Sequence, residues 1–313
     1  MPKILLAIQG FEPQAWLERF RALSRTKHEV SLWPDVRDAS DFDYACAWKA
    51  PAGLLAQFPK LKAIFSLGAG VDHLLQDKTL PNVPIARIVD QDLTIRMVGY
   101  VVLHAHLHHR QMKLYERQSK ERVWIDHNEA PPGAIKVGLM GMGVMGQASA
   151  KGLVASGFTV VGWSRSPKKV ADVEMFSGDD GLKKFLAQTN ILVCLLPLTP
   201  ETKGILKYDL FKKLAREPIA PVLINAGRGG EQVEADILRA LDDGTLGGAS
   251  LDVFEQEPLP AESPLWGHPK AYITPHNAAS SDPRALVANI LRQIENFERG
   301  KPLENLVDRK LGY

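Results

Sequence analysis

Residues 141–146, Gly-Met-Gly-Val-Met-Gly, carry the spacing G-x-G-x-x-G. Glycines so placed suit a phosphate-bearing ligand. Gly141 permits a tight turn, Gly143 lets a pyrophosphate approach the backbone, and Gly146 allows a helix to pack closely on a strand. The helix expected next would carry Val144 and Met145 near its start, offering N–H groups and the positive end of its dipole to the phosphates. A glycine-rich turn without a ligand is the plainer reading of the motif alone. An apolar run before it, a helical stretch after it and a second apolar run beyond favour the cofactor loop. At the end of that second run, eighteen residues past Gly146, stand Ser164, Arg165 and Ser166. An acid there would bind the ribose hydroxyls of NAD and repel a 2′-phosphate. Two hydroxyls and a planar cation do the opposite, so the cofactor expected is NADP(H), with NAD(H) as the weaker alternative.

Three polar motifs follow later apolar runs: INAGRGG (224–230), LDVFEQEPLP (251–260) and ITPHNAA (273–279). Together they supply an arginine, Arg228, two glutamates, Glu255 and Glu257, and a histidine, His276. A ketone-reducing site needs such a set. A cation holds a substrate carboxylate and polarises the carbonyl. A histidine delivers a proton near neutral pH, and a carboxylate beside it stabilises the imidazolium.

These groups need a scaffold. Short apolar runs at 3–8, 30–32, 44–48 and 63–67 alternate with helical spacing, as do IKVGLMG, FTVVGW, NILVCLLPL, PVLINAG, GGASLDVF and AYITPH further on. Near-continuous apolar runs are strands buried on both faces, and their alternation with helices predicts βα units and parallel sheets. One long helix is expected over 94–118, others over 143–156, 231–243 and 283–299. The fold class expected is α/β, with two doubly wound parallel-sheet domains of Rossmann/flavodoxin type and an interdomain cleft. Open sheets of this kind place ligands beyond the carboxyl ends of their strands.

A chain of 313 residues suits two domains, and 45% apolar with 24% charged residues is ordinary globular composition. A net charge of +2 makes no case for nucleic acid or a membrane surface, and no run approaches the apolar length of a transmembrane helix. Two distant cysteines, Cys46 and Cys194, read as buried thiols in a reducing cytoplasm. The histidines of HAHLHH place His104 and His108 one turn apart, which is metal-ligand spacing. With no accompanying acid or HExxH pattern, a helix surface or a dimer contact is the expectation, and no metal site.

In their order and spacing, SLGAGVDHL, GLMGMGVMGQ, LLPLTPET, INAGRGG, LDVFEQEPLP and TPHNAA resemble the D-isomer-specific 2-hydroxyacid dehydrogenase family. The chain most resembles the short bacterial glyoxylate/hydroxypyruvate reductase branch, over essentially its whole length. The resemblance implies NADPH-dependent reduction of small 2-oxo acids. It makes Arg228 the carboxylate and carbonyl binder, His276 the general acid, and Glu257, directly before Pro258, its partner, with Glu255 the competitor for that role. Asp252 would reach the nicotinamide carboxamide, and Leu196, Pro197, Ala226 and Gly227 would line the nicotinamide. The amides of Ala69 and Gly70 would cradle the substrate carboxylate, and Trp48 would line the substrate pocket or lie in the core. The resemblance further implies a discontinuous substrate domain, 1–98 plus 286–313, around an NADP-binding domain, 99–285, with hinges near 98 and 285. It implies a homodimer, in which Trp124 could close the neighbour's pocket. Two alternatives stay open: a broad 2-ketoacid reductase or another oxidation on this scaffold, and a cofactor-sensing regulator of the same fold.

Overall fold

The structure is a computed structural model that describes residues 1–36 and 38–313. In chain order its elements begin with β1 (Lys3–Ile8), α1 (Gln14–Ser24), β2 (Glu29–Leu32), β3 (Tyr44–Trp48), β4 (Ala63–Ser66), α2 (Asp72–Leu75) and β5 (Ile85–Ala86). Then come α3 (Gln91–His109), α4 (Met112–Glu121), β6 (Lys136–Met140), α5 (Val144–Ala155), β7 (Thr159–Ser164), β8 (Glu174–Ser177), α6 (Gly178–Leu186) and β9 (Ile191–Cys194). The remainder is α7 (Tyr208–Phe211), β10 (Val222–Asn225), α8 (Glu234–Asp242), β11 (Gly248–Leu251), β12 (Ala271–Ile273) and α9 (Pro283–Glu298). Two compact units result, one of Met1–Asp92 with Ser281–Tyr313 and one of Leu93–Ser280.

The first unit holds a parallel sheet of order β2-β1-β3-β4-β5. Leu5, Ala7, Ala45, Ala47 and Ile64 bury one of its faces with Phe42, Leu55 and Phe58. Alternate apolar residues, Ile4, Leu6 and Phe65, are buried as well, as a sheet covered on both sides requires. The C-terminal segment returns here. Helix α9 packs on α1, Lys27 pairs with Glu295 at 2.8 Å, and Tyr44 donates to Glu298. Val307 N then donates to Ile85 O at 2.8 Å, which covers the β5 edge.

The second unit holds a parallel sheet of order β12-β11-β10-β9-β6-β7-β8. Its faces are distinct. Leu192, Leu223 and Ala249 point to α6 and α8 through Phe185, Ile237 and Leu241. Val137, Leu139, Ile191, Val193 and Ile224 point to α3 and α5 through Met97, Val101, Ala150 and Leu153. The order reverses between β6 and β9, and the glycine loop leaves β6 at that switch point.

The unit boundaries fall before residues 98 and 285. Met97 is already buried in the second unit's core. Asp282 caps α9 through Arg284 N at 2.8 Å, so that helix enters the first unit with its cap. The expected helix over 94–118 is two helices, broken where Gln111 takes a left-handed φ of 51°. Strand β8 was not expected. It is a four-residue edge strand without a buried residue, so it carries no apolar run.

The surface reading of the histidine cluster fails. His104 and His109 are buried. His104 Nδ1 and His108 Nε2 lie 2.7 and 2.8 Å from the same hydroxyl, Ser250 Oγ on β11. That hydroxyl has one hydrogen, so it donates to one ring and accepts from the other. Burial pushes His104 down to about 4 and His108 down to about 3, the latter helped by His104 and Lys113. Both rings are therefore neutral in the fold, and the unfolded chain takes up the protons first. Stability from this pair is fully present above the ordinary value of 6.5 and is lost as pH falls toward the folded values. The melting temperature should drop over that window, and less so in His104→Gln. Identical slopes in the two proteins would contradict the linkage.

Candidate functional site

Three loops at the carboxyl ends of β10, β11 and β12 interlock in the second unit. The arginine loop is built first. Asn225 Oδ1 accepts from Gly227 N at 3.0 Å, and its amide donates to Gln232 Oε1 at 2.8 Å. Arg228 N donates to the buried Glu231 Oε2 at 3.1 Å, which also accepts from the Cys194 thiol at 3.2 Å. Burial above all keeps that thiol protonated, raising Cys194 well above its ordinary value, and the Glu231 charge adds to the rise.

The glutamate loop lies directly against this one. Gln232 Nε2 donates to Val253 O at 2.9 Å. A β-carbon on Gly229 would overlap the carbonyl of Phe254, so the two backbones touch there. Glu255 and Glu257 turn opposite ways. Glu255 exchanges bonds with Glu234 at the start of α8, at 2.7 and 2.8 Å. Glu257 places Oε2 at 2.8 Å and Oε1 at 3.0 Å from His276 Nδ1, and its Oε1 also accepts from Phe254 N at 3.3 Å. A carboxylate straddling Nδ1 favours a proton on that nitrogen and leaves Nε2 as the exchanging atom. The pair is part-buried, with 29% and 20% of the two side chains exposed.

The histidine loop hangs from Asp252. His276 N donates to Asp252 O at 2.8 Å, and Asn277 N and Ala278 N donate to the two carboxylate oxygens at 2.9 Å each. Thr274 Oγ1 donates to Asp252 Oδ1 at 2.6 Å. Asp252 is almost fully buried and ties all of this together. The family resemblance marked Asp252 only as a cofactor contact. Asn225, Gln232, Thr274 and Glu231 were missed: Gln232 and Thr274 reach other loops at Val253 and Asp252, and Asn225 and Glu231 bond within a turn that no spacing rule announces.

The glycine loop fits a pyrophosphate. Gly141 has a φ of 101°, and a β-carbon there would meet Leu195 O at 2.5 Å. Gly146 packs on the carbonyl of Gly141, whereas nothing lies within 4 Å of a β-carbon on Gly143, so its approach is open. Val144 and Met145 form the first turn of α5. Leu196 and Pro197 follow β9, Ala226 and Gly227 follow β10, and a Gly227 β-carbon would lie 3.1 Å from Leu196 O. At the end of β7, Ser164 is buried with Oγ on Ser166 O at 2.8 Å, while Arg165 and Ser166 are exposed. The exposed Lys168 donates to Met142 O at 3.1 Å, which draws the basic stretch onto the glycine loop.

In the first unit, Trp48 lies on Gly68, at the head of the loop that carries the half-exposed Ala69 and Gly70. Ser66 Oγ ties this loop through Gly70 O at 3.0 Å. His73, whose ring is 4.6 Å from that of Trp48, accepts from Lys49 N at 3.2 Å.

Residues 102–278 match the family described as D-isomer specific 2-hydroxyacid dehydrogenase, NAD binding domain. A glyoxylate/hydroxypyruvate reductase A of Escherichia fergusonii is 40% identical, over 99% of each chain. Among solved structures, the NADPH-dependent glyoxylate/hydroxypyruvate reductase of Sinorhizobium meliloti, in complex with NADP and sulfate, is 48% identical. It superposes with a TM-score of 0.96 over 100% of both chains. A probable 2-hydroxyacid dehydrogenase of Rhizobium etli, in complex with NADP, HEPES and tartaric acid, is 43% identical with a TM-score of 0.92. That match covers 100% of this chain and 99% of the other. With the interlocked loops above, these likenesses over the full length establish that the chain belongs to the D-isomer-specific 2-hydroxyacid dehydrogenase family.

Proposed function

We propose that this protein reduces glyoxylate, hydroxypyruvate and related small 2-oxo acids to D-2-hydroxy acids at the expense of NADPH. The observation that carries the reading is the His276–Glu257 pair on a loop interlocked with that of Arg228. A bound NADPH would supply the hydride. Arg228 would bind the substrate carboxylate and draw electron density from its carbonyl. His276, with Nδ1 on Glu257, would give the Nε2 proton to the developing alkoxide. The amides of Ala69 and Gly70 and the ring of Trp48 are proposed as substrate contacts in the first unit. Gly141, Gly143, Val144, Met145 and Gly146 would take the pyrophosphate, and Leu196, Pro197, Ala226 and Gly227 the nicotinamide. Asp252 accepts one loop bond on Oδ2, which leaves that oxygen an acceptor position for the carboxamide.

The absence of a carboxylate at Ser164, with Arg165 and Ser166 exposed beside it, supports NADPH over NADH. Relatives described as glyoxylate/hydroxypyruvate reductases support the substrate class. Among the described residues no helix is long and apolar enough to cross a membrane. The free, buried Cys46 and Cys194 suit a reducing cytoplasm. The stretch Val123-Trp124-Ile125, with Trp124 99% exposed, supports a homodimer that covers it.

Cofactor oxidation with glyoxylate, hydroxypyruvate and pyruvate, using NADPH and NADH in parallel, tests the assignment. NADPH with glyoxylate or hydroxypyruvate should be the fastest pair. Arg165→Ala should cost about 1.5–3 kcal/mol of NADPH binding, roughly ten- to hundredfold, with little effect on NADH. An unchanged NADPH/NADH ratio would remove Arg165 from the specificity argument.

A further inference from the structure

The loop that carries His276 is held by a hydroxyl chain that starts outside it. His276 has a φ of 53°, in the left-handed region that a β-carbon makes costly. The turn persists because its neighbours fix it. His276 N donates to Asp252 O and to Thr274 O, at 2.8 and 3.1 Å, and the next two N–H groups are taken by the Asp252 carboxylate. Thr274 Oγ1 lies 2.6 Å from Asp252 Oδ1 and 2.9 Å from Tyr100 Oη. A threonine hydroxyl has one hydrogen. An ionised carboxylate can only accept, so that hydrogen goes to Asp252, and Tyr100 must donate to Thr274. Burial pushes the Tyr100 hydroxyl up, so it keeps the proton this direction requires.

Tyr100 is itself anchored. It stands on α3 one turn before His104 and two before His108, and its ring lies 4.1 Å from that of His104. The shared bond to Ser250 holds this stripe of α3 on β11. The histidine cluster thus belongs to the support of the site rather than to a helix surface.

We propose that Tyr100 is a positioning residue for His276: it orients Thr274, which orients Asp252, which holds the left-handed turn that keeps Nδ1 on Glu257. The proposal rests on the reading of His276 as proton donor, and two independent readouts separate the two claims. One is steady-state reduction of glyoxylate by the full-length protein. The other is the low-field ring N–H proton resonance of the His276–Glu257 pair, identified by its absence in His276→Gln.

In Tyr100→Phe, kcat should fall about tenfold while KM and the NADPH dissociation constant change by less than about threefold, because the proton donor is misplaced whereas the cofactor loses at most the aim of one contact, at Asp252. The resonance should broaden or vanish. Thr274→Val should lose at least as much, and Thr274→Ser, which keeps the hydroxyl, should restore kcat to within about threefold and return the resonance. NADPH binding and thermal melting show that each variant is folded. Wild-type kcat and an unmoved resonance in Tyr100→Phe overturn the proposal, as does equal behaviour of the valine and serine variants. If the wild-type protein reduces no 2-oxo acid, the functional reading fails by itself. The resonance then decides alone: its loss in Tyr100→Phe with retention in Thr274→Ser supports the tie, and its persistence overturns it.

Discussion

Replacing His276 by alanine is expected to lower glyoxylate reduction by about 10³-fold or more while NADPH binds as before. Glu257 fixes the imidazole by both oxygens at Nδ1, which leaves Nε2 to give the proton. The nearest polar side chains are already engaged. Asp252 and Thr274 are committed to each other and to the backbone N–H groups of 277 and 278. Cofactor affinity should survive, because the glycine loop and the Ser164–Ser166 stretch hang from β6 and β7, on other strands than the one that leads into the histidine loop. Glu257→Gln gives the graded control. It keeps the shape and one acceptor oxygen but removes the charge that supports the imidazolium, so a loss of roughly 10- to 100-fold is expected. Stopped-flow reduction and NADPH fluorescence titration measure the two quantities separately. Substantial turnover in His276→Ala would end the assignment.

How much of this was legible in the sequence depends on the distance between partners. Strands β9, β10 and β11 were legible because every residue in them is buried, so the apolar run is the signal. The reactive groups were legible because short motifs carry them, and the motifs sit where the sheet ends. The resemblance favoured Glu257 over Glu255 because it directly precedes Pro258, but the physical reason lies in the fold. Both lie in one five-residue stretch, and only the path of the chain sends one to Glu234 and the other to His276. The histidines of α3 misled for a related reason. A polar run on a helix reads as a solvent face, and its burial depends on Ser250, 146 residues from His104. The break at Gln111 had no glycine or proline to announce it. Tyr100, Thr274 and Asp252 form a chain whose links span 174 and 22 residues, so no local pattern could join them. Local propensity and periodicity report elements. The supports of a site are set by tertiary contacts, which leave single polar residues without a spacing rule.

Gly229→Ala is expected to be the most damaging single methyl in the site. Gly229 has no positive φ, so an alanine backbone is allowed, and the objection is space alone. The added carbon would fall on the carbonyl and Cα of Phe254, which are backbone atoms that no side-chain rotation can move. The arginine and glutamate loops must therefore separate. Arg228 is the preceding residue on one side. On the other, Phe254 N holds Glu257 Oε1 at 3.3 Å, and Gln232 holds Val253 O at 2.9 Å. One displacement thus moves the carboxylate binder and the partner of the proton donor together. A shift of about 1 Å in such groups costs on the order of 10²-fold, and overpacking of this kind about 1–3 kcal/mol of stability. Both kcat and kcat/KM should fall, since orientation of the substrate and of the proton donor are lost at once. Gly99→Ala separates crowding from the mere loss of a glycine. It lies within α3 with nothing within 4 Å of the new methyl. There the substitution should preserve activity and add roughly 0.5–1 kcal/mol, because alanine loses less backbone entropy in a helix. Melting curves and steady-state kinetics on the two variants make the comparison. If Gly229→Ala behaved like Gly99→Ala, the loops would be free to part without consequence, and their contact could not be what sets the distance between Arg228 and the His276–Glu257 pair.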